Sequence, residues 1–244
     1  MELTFFGTGA AFAGDAYNAS YILDRRVVVD AGSPLHVLIH RTGHEIAALE
    51  AAVITHQHAD HTFGLPYLMA TRAIEAPEAP PFTIAGPPGF ERYISDLFQV
   101  AWGDRLHEIV WKALRPTFID VHPGETVEVA GFTVHGEEMH HVHDIPCLGY
   151  GFAKDGVRLA YSGDTGVCPG LDALVAAADH VLVEMTGVDD DPSHMSRAAV
   201  EALVGANPEK TFYLTHLNRR WDDRTVEGAI LAADLQTVEL TPSA

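Results

Sequence analysis

Two cysteines, Cys147 and Cys168, are all that the 244-residue chain contains. That is too few for a disulfide framework and suits a reducing compartment. No run of Lys and Arg occurs, and 34 acidic residues face 15 basic ones, for a formal charge of −19. A surface that grips a nucleic-acid backbone is normally basic, so long nucleic acid is a poor fit as a partner. No window approaches the roughly 20 apolar residues that a membrane span requires. The N-terminal run MELTFFGTGAAF lacks a preceding basic segment and reads as a first strand rather than a secretion signal. No repeat period and no linker divides the chain. The Pro-rich stretch from Ala76 to Gly89 encloses the apolar run FTIAG, which makes it loop, strand, loop. These absences predict a soluble, cytoplasmic protein with one domain over residues 1–244.

What is present is a series of short apolar runs. With 47% hydrophobic residues the chain can bury one sizeable core. Strands are predicted at 3–7, 20–24, 27–32, 51–56, 82–86, 126–129, 131–136, 148–153, 157–164, 180–185, 211–216 and 237–240. Helices are predicted at 90–101, 171–178, 197–204 and 225–233, with Ser193 as a cap before the third. The mixture implies sheet layers with helices packed outside. Three runs end in a residue able to bind a metal: AAVIT before His56, RLAYSG before Asp164, and FYLT before His216. A ligand just beyond a buried strand is held on a rigid element at the sheet rim.

The first of these rims, ITHQHADHTFGL, places His56, His58, Asp60 and His61 within six positions. Imidazole and carboxylate suit zinc, manganese or iron. Two positions apart in an extended segment, His56 and His58 point the same way and can share an ion. Asp60 and His61 follow a turn and can face a second ion. Four ligands exceed the three that one open catalytic zinc keeps, yet do not fill two ions, so further ligands are needed downstream.

THQHADH resembles the HxHxDH signature of the metallo-β-lactamase-fold hydrolases. FFGTGAAF, SYILD with VVVDAG, IAGPPG, LGYGF, LAYSGDTG and FYLTHL are similar to that family's segments in the same order along nearly the whole chain. The set looks most like the branch containing ribonuclease Z and related phosphodiesterases. The resemblance implies an α/β fold, a four-layer αββα sandwich with a two-metal site at one edge of the paired sheets. It implies that His56 and His58 bind one metal with a histidine from the 140–143 cluster. Asp60, His61 and His216 would bind the other, and Asp164 would bridge the two. Counted forward from GFTVHG, His141 falls at the family position; counted back from LGY, His143 does. His141 is the expected ligand, with His143 and then His140 as alternatives. His194, before a helix, resembles a histidine that assists proton transfer in this branch, and a surface histidine is the other reading. Asp30 and Glu184 match positions that support ligands from behind.

The implied chemistry is hydrolysis by a water shared between two metals, most readily zinc, with Asp60 orienting the nucleophile and His194 as general acid. A small phosphodiester is the expected substrate. Two departures argue against tRNA processing: the acidic charge, and the thirteen residues between Tyr150 and Asp164, which leave no room for a tRNA-gripping arm. A lactonase or other carbonyl-ester hydrolase on the same site is the alternative. A non-catalytic metal-binding protein is a third, opposed by the full ligand set. Arg219 and Arg220, just after His216, are candidates to meet a phosphate or simply surface charges. Cys168, near Asp164, receives no role. Gly7 and Gly9 are predicted to form a tight turn beside the metals. Relatives in this branch often form homodimers, though no stretch here marks an interface.

Overall fold

The computed structural model describes residues 1–188, 191–218 and 225–242. Two seven-stranded sheets face each other. The first half of the chain gives β1 (Glu2–Gly7), β2 (Ser20–Leu23), β3 (Val27–Val29), β4 (Ala51–Val53), β5 (Thr83–Gly86) and β6 (Thr117–Asp120). The second gives β7 (Thr126–Val129), β8 (Phe132–Glu138), β9 (Leu148–Lys154), β10 (Val157–Tyr161), β11 (His180–Met185), β12 (Thr211–Leu217) and β13 (Ala229–Leu231), and β14 (Thr237–Glu239) returns to the first sheet. The orders are β14-β1-β2-β3-β4-β5-β6 and β13-β12-β11-β10-β9-β8-β7. Each sheet begins as an antiparallel meander and continues as parallel strands, from β3 to β6 and from β10 to β13.

Among the described residues seven α-helices accompany them: α1 (Leu35–Arg41), α2 (Ala59–Thr62), α3 (Leu65–Glu75), α4 (Phe90–Trp102), α5 (Asp104–Leu114), α6 (Pro169–Ala177) and α7 (Arg197–Ala206). Side-chain alternation in the strands builds the layers. Leu3, Phe5, Tyr21, Leu23, Val27, Val29 and Val53 enter the core between the sheets, with Tyr150, Leu159, Tyr161 and Tyr213 opposite. Phe6, Ile22, Val28 and Ala52 point the other way, under α1, α3, α4 and α5. Ala160, Val181, Val183, Phe212 and Leu214 lie under α6 and α7. Strands covered on both faces read as unbroken apolar runs, which is why VVV and HVLVEM show no polar alternation. The architecture is the αββα sandwich. Its edge strands are partly exposed; β6, β7 and β14 carry Thr, Asp or Glu and β13 is only three residues long, features that discourage further strand pairing.

Three expectations need correction. Residues 225–233 are not helical. Val226, Ala229, Ile230 and Ala233 have helical spacing, but Gly228 at φ +83° breaks the run, and Ala229–Leu231 pairs in parallel with β12. The cap of α7 is Ser196, whose hydroxyl accepts the Ala199 N–H at 3.2 Å, whereas Ser193 binds Asp191 instead. Gly7 and Gly9 make no tight turn. Gly7 ends β1, where a Cβ would lie 2.2 Å from the Asn18 carbonyl, and Gly9 bridges both Asn18 and Leu217. Their value is close backbone approach.

Candidate metal centre

The C-terminal ends of β4, β10 and β12 converge at one rim, and the ligand candidates lie just past or within those ends, save His141, which comes from the loop after β8. His56 and His58 occupy the extended loop after β4; Asp60 and His61 lie in the single turn of α2. Asp164 follows β10 through Gly163, which has φ +57° and whose Cβ, if present, would stand 2.9 Å from the Leu148 carbonyl. His216 lies in β12 with φ +50°, and Asp30, after β3, has φ +53°. Non-glycine residues held in this left-handed region concentrate where function fixes the backbone.

His56, His58, His141 and Asp164 form one group of convergent donor atoms; Asp60, His61, Asp164 and His216 form another. Asp164 belongs to both and divides its oxygens between them. Oδ2 lies 3.9 Å from His56 Nε2 and 3.8 Å from His141 Nε2; Oδ1 lies 3.3 Å from His61 Nε2 and 3.4 Å from His216 Nε2. Asp60 Oδ2 completes the second group, 3.1 Å from His216 Nε2 and 3.3 Å from His61 Nε2. Of the three histidines in the 140–143 cluster, His141 is the one brought in, with Nε2 at 3.1 Å from His58 Nδ1; His140 and His143 are exposed.

The rear atoms of four rings are already committed, which fixes the nitrogen that each presents. Asp30 is fully buried and accepts the Thr55 N–H, the Thr55 hydroxyl, the Tyr161 hydroxyl and the His61 Nδ1–H, the last at 2.7 Å. Thr55, its proton given to Asp30, takes the His56 Nδ1–H at 3.0 Å. The Thr186 hydroxyl donates to the His216 carbonyl and accepts that residue's Nδ1–H at 2.7 Å. His141 donates Nδ1–H to the Ser193 carbonyl at 3.0 Å. Tyr93, on α4, donates to the Gln57 carbonyl at 2.7 Å and so steadies the loop between His56 and His58.

The front atoms point at one another, and three of them have no protein partner. His56 Nε2, His61 Nε2 and Asp164 Oδ1 are buried with no hydrogen bond. Buried polar atoms are ordinarily paired, so orphans aimed at a common point suit the binding of a cation. Ionisation agrees. Burial would raise Asp164, but the charges of His216 and His61 hold its carboxyl well below the usual range. Burial opposes Asp60 likewise, and the neighbouring imidazoles of His216 and His61 keep it ionised far into acid. Burial, reinforced by neighbouring histidines, lowers His56 and His58 and keeps them neutral. Burial also works against a charged His61, but Asp164 and Asp30 outweigh it and raise its pKa well above the ordinary value. A metal taking up the His61 lone pair would displace that proton. The donors, their protonation and their orientation therefore fit two divalent cations.

His194 stands at the edge of this cluster, its ring 4.7 Å from that of His141. Its Nδ1–H donates to Glu184 Oε1 at 2.6 Å. Burial would lower its pKa, but Glu184 more than offsets this and lifts it to about 9. Glu184, fully buried, also accepts the N–H groups of Thr165 and Thr186, so it fixes the strand ends on either side. Cys168 caps α6, its sulfur accepting the Leu171 N–H. Arg219 and Arg220 lie outside the described residues. A cavity of about 540 Å³ opens over the cluster, reaching His58, Asp60, Asp164 and His194 on its polar side. Sequence reading did not assign Thr55, Tyr161 or Thr186; their signal is chemical, since a buried hydroxyl needs a partner. Nor did it find Phe12 and Phe63, which stand in the cavity wall.

A family model described as beta-lactamase superfamily domain matches residues 25–217. The chain belongs to that family, with the metallo-β-lactamase fold, and is on that ground a hydrolase. Ribonuclease Z of Staphylococcus carnosus is 27% identical to it, across 97% of this chain and 94% of that one. Among solved structures, human tRNase Z, short form, superposes with a TM-score of 0.77 at 20% identity, covering 99% of this chain and 100% of that chain. A diphosphatase from the PhnP family gives 0.74, also at 20% identity, covering 99% and 98%. Likeness at that identity speaks for the fold. No helix among the described residues is long and apolar enough to cross a membrane.

Proposed function

We propose that this chain is a two-metal phosphodiesterase acting on small phosphate diesters. The observation that carries the reading is the division of Asp164, one oxygen to each donor group. A carboxylate so placed offsets the repulsion between two nearby dications. His56, His58, His141 and Asp164 would hold one ion, and Asp60, His61, Asp164 and His216 the other. Zinc suits this N/O donor set best. Bound there, two such ions would supply Lewis acidity towards the phosphoryl oxygen and would lower the pKa of a nucleophilic water.

The chain's own residues do the rest. Asp60 lies at the cavity face of the second group and orients the attacking water. Glu184 holds the His194 Nδ1–H, which leaves the other ring nitrogen to pass a proton to the departing oxygen. Phosphoryl chemistry, rather than carbonyl chemistry, is supported by relatives named ribonuclease Z and by the diphosphatase among the structural neighbours. A small substrate is supported by the cavity's size and by a charge of −19 that would repel a polyanion. The ligands come from both sheets, so we take residues 1–244 as one functional domain. The two buried, unpaired cysteines support a cytoplasmic setting.

Purified protein, its metal counted, is assayed on a generic phosphodiester and a generic lactone beside a chelated control. Chelator-sensitive diester cleavage with about two ions per chain is the expected result. Cleavage of the lactone alone would replace this reading with that of a carbonyl-ester hydrolase.

A further inference from the structure

The cavity over the metal centre has two unlike halves. Its floor is polar, made by the imidazoles and carboxylates described above. Its wall is apolar, and two phenylalanines stand in it from separate segments of the chain. Phe12 is 96% exposed and Phe63 50% exposed. Rings this open to water forgo the burial that phenylalanine normally finds, and among the described residues none covers Phe12.

Both are tied to ligand-bearing elements. Phe63 lies two residues after His61, and its N–H donates to the Ala59 carbonyl at 2.9 Å. Phe12 lies two residues after Ala10, whose N–H donates at 3.2 Å to the carbonyl of Leu217, the neighbour of His216. The rings are thus placed with respect to the metal centre, not carried on a distant loop. Beside Phe12 the wall is made of Ala10, Ala11 and Ala13, short side chains that leave the ring face clear.

We propose that Phe12 and Phe63 are specificity-determining residues that bind a flat unsaturated ring on the ester arm of the substrate. The inference rests on the phosphodiesterase reading of the cavity: the phosphate goes to the polar floor, and the arm lies along the apolar wall. Aromatic faces and edges recognise another π-system more selectively than they do a saturated ring of similar size. Base stacking on aromatic side chains is tolerant of which ring is presented, so an aryl group and a nucleobase share the required chemistry. A cavity of about 540 Å³ accommodates one phosphate and one ring system.

The test is calorimetric titration of the metal-loaded full chain with matched phosphate monoesters as product analogues. Phenyl phosphate against cyclohexyl phosphate isolates flatness, and a nucleoside 5′-monophosphate against ribose 5-phosphate isolates the base. The expected result is that phenyl phosphate binds about tenfold more tightly than cyclohexyl phosphate, within the range that ring stacking supplies. That ratio should fall to about one in the Phe12→Ala, Phe63→Ala double variant and persist in the corresponding Tyr variant. A similar preference for the nucleoside monophosphate would assign the ring to a nucleobase, and its absence to an aryl group. Equal binding of phenyl and cyclohexyl phosphates to the native chain, or a ratio that survives the alanine substitutions, overturns the proposal while leaving the phosphodiesterase reading intact. No binding of any phosphate overturns both. Phe12 is almost wholly exposed, and a thermal melt of each variant checks that the fold is kept.

Discussion

His141 and His143 are two positions apart in one loop, yet their surroundings differ completely. His141 donates backwards to the Ser193 carbonyl and turns Nε2 towards His58 and Asp164; His143 is exposed. His141→Ala should therefore lose one of two bound metal equivalents, whereas His143→Ala should keep both, as counted by elemental analysis after dialysis. Loss of metal in the second variant and not the first would reverse the assignment. The sequence left this choice open because the loop from Met139 to Cys147 has no regular element to carry a register forward. The other candidate residues that converge at the rim stand in tight motifs at strand ends. The hydroxyls of Thr55, Tyr161 and Thr186 were not. Their partners, His56, Asp30 and His216, are specified by three-dimensional placement and not by spacing.

Elements were legible in proportion to how far their own composition sets them. The central strands, buried on both faces, announced themselves as apolar runs. The edge strands β6 and β13 did not, since TFID and AIL are short and owe their form to the neighbour they pair with. Helix α3 was missed because it begins directly after the metal-loop residues, with Gly64 and Pro66 at its start where punctuation would suggest a turn. The cap of α7 is a clean test at this scale. Ser196 satisfies an N–H that the first helical turn would otherwise leave open. Ser196→Ala should lower unfolding stability by about 1 kcal/mol, the usual value of such a cap. In a chain of this size that is a fall of roughly 2–4 °C in Tm. Ser193→Ala removes a hydroxyl bound to Asp191 and leaves the helix cap in place. An unchanged melt for Ser196→Ala would show that the helix is held by packing of Val200 and Val204 alone.

At the scale of the molecule, the proposed metals join what the core does not. The two sheets meet through apolar side chains, but at the rim the contact is a set of buried charges and imidazoles. His56, His58, Asp60 and His61 follow the first sheet; His141, Asp164 and His216 belong to the second. At this seam His61 Nε2 and Asp164 Oδ1, 3.3 Å apart, are buried without a hydrogen bond, at the cost of desolvation. Bound ions would convert that weak seam into a crosslink between sheets. Ligands that bind only the folded state stabilise it by mass action, by about 2.7 kcal/mol when free ligand is a hundred times Kd. At roughly 2–4 °C per kcal/mol, each ion then raises Tm by about 5–10 °C. Chelation should accordingly lower Tm by at least about 5 °C, and stepwise return of zinc should restore it in proportion to the logarithm of free metal. The same titration on Asp164→Asn should show a much smaller rise, because the shared ligand no longer carries the charge that holds both ions. If the native chain melts at one temperature with and without chelator while its metal content falls to zero, the seam is stable on its own and the metals contribute chemistry without holding the sheets together.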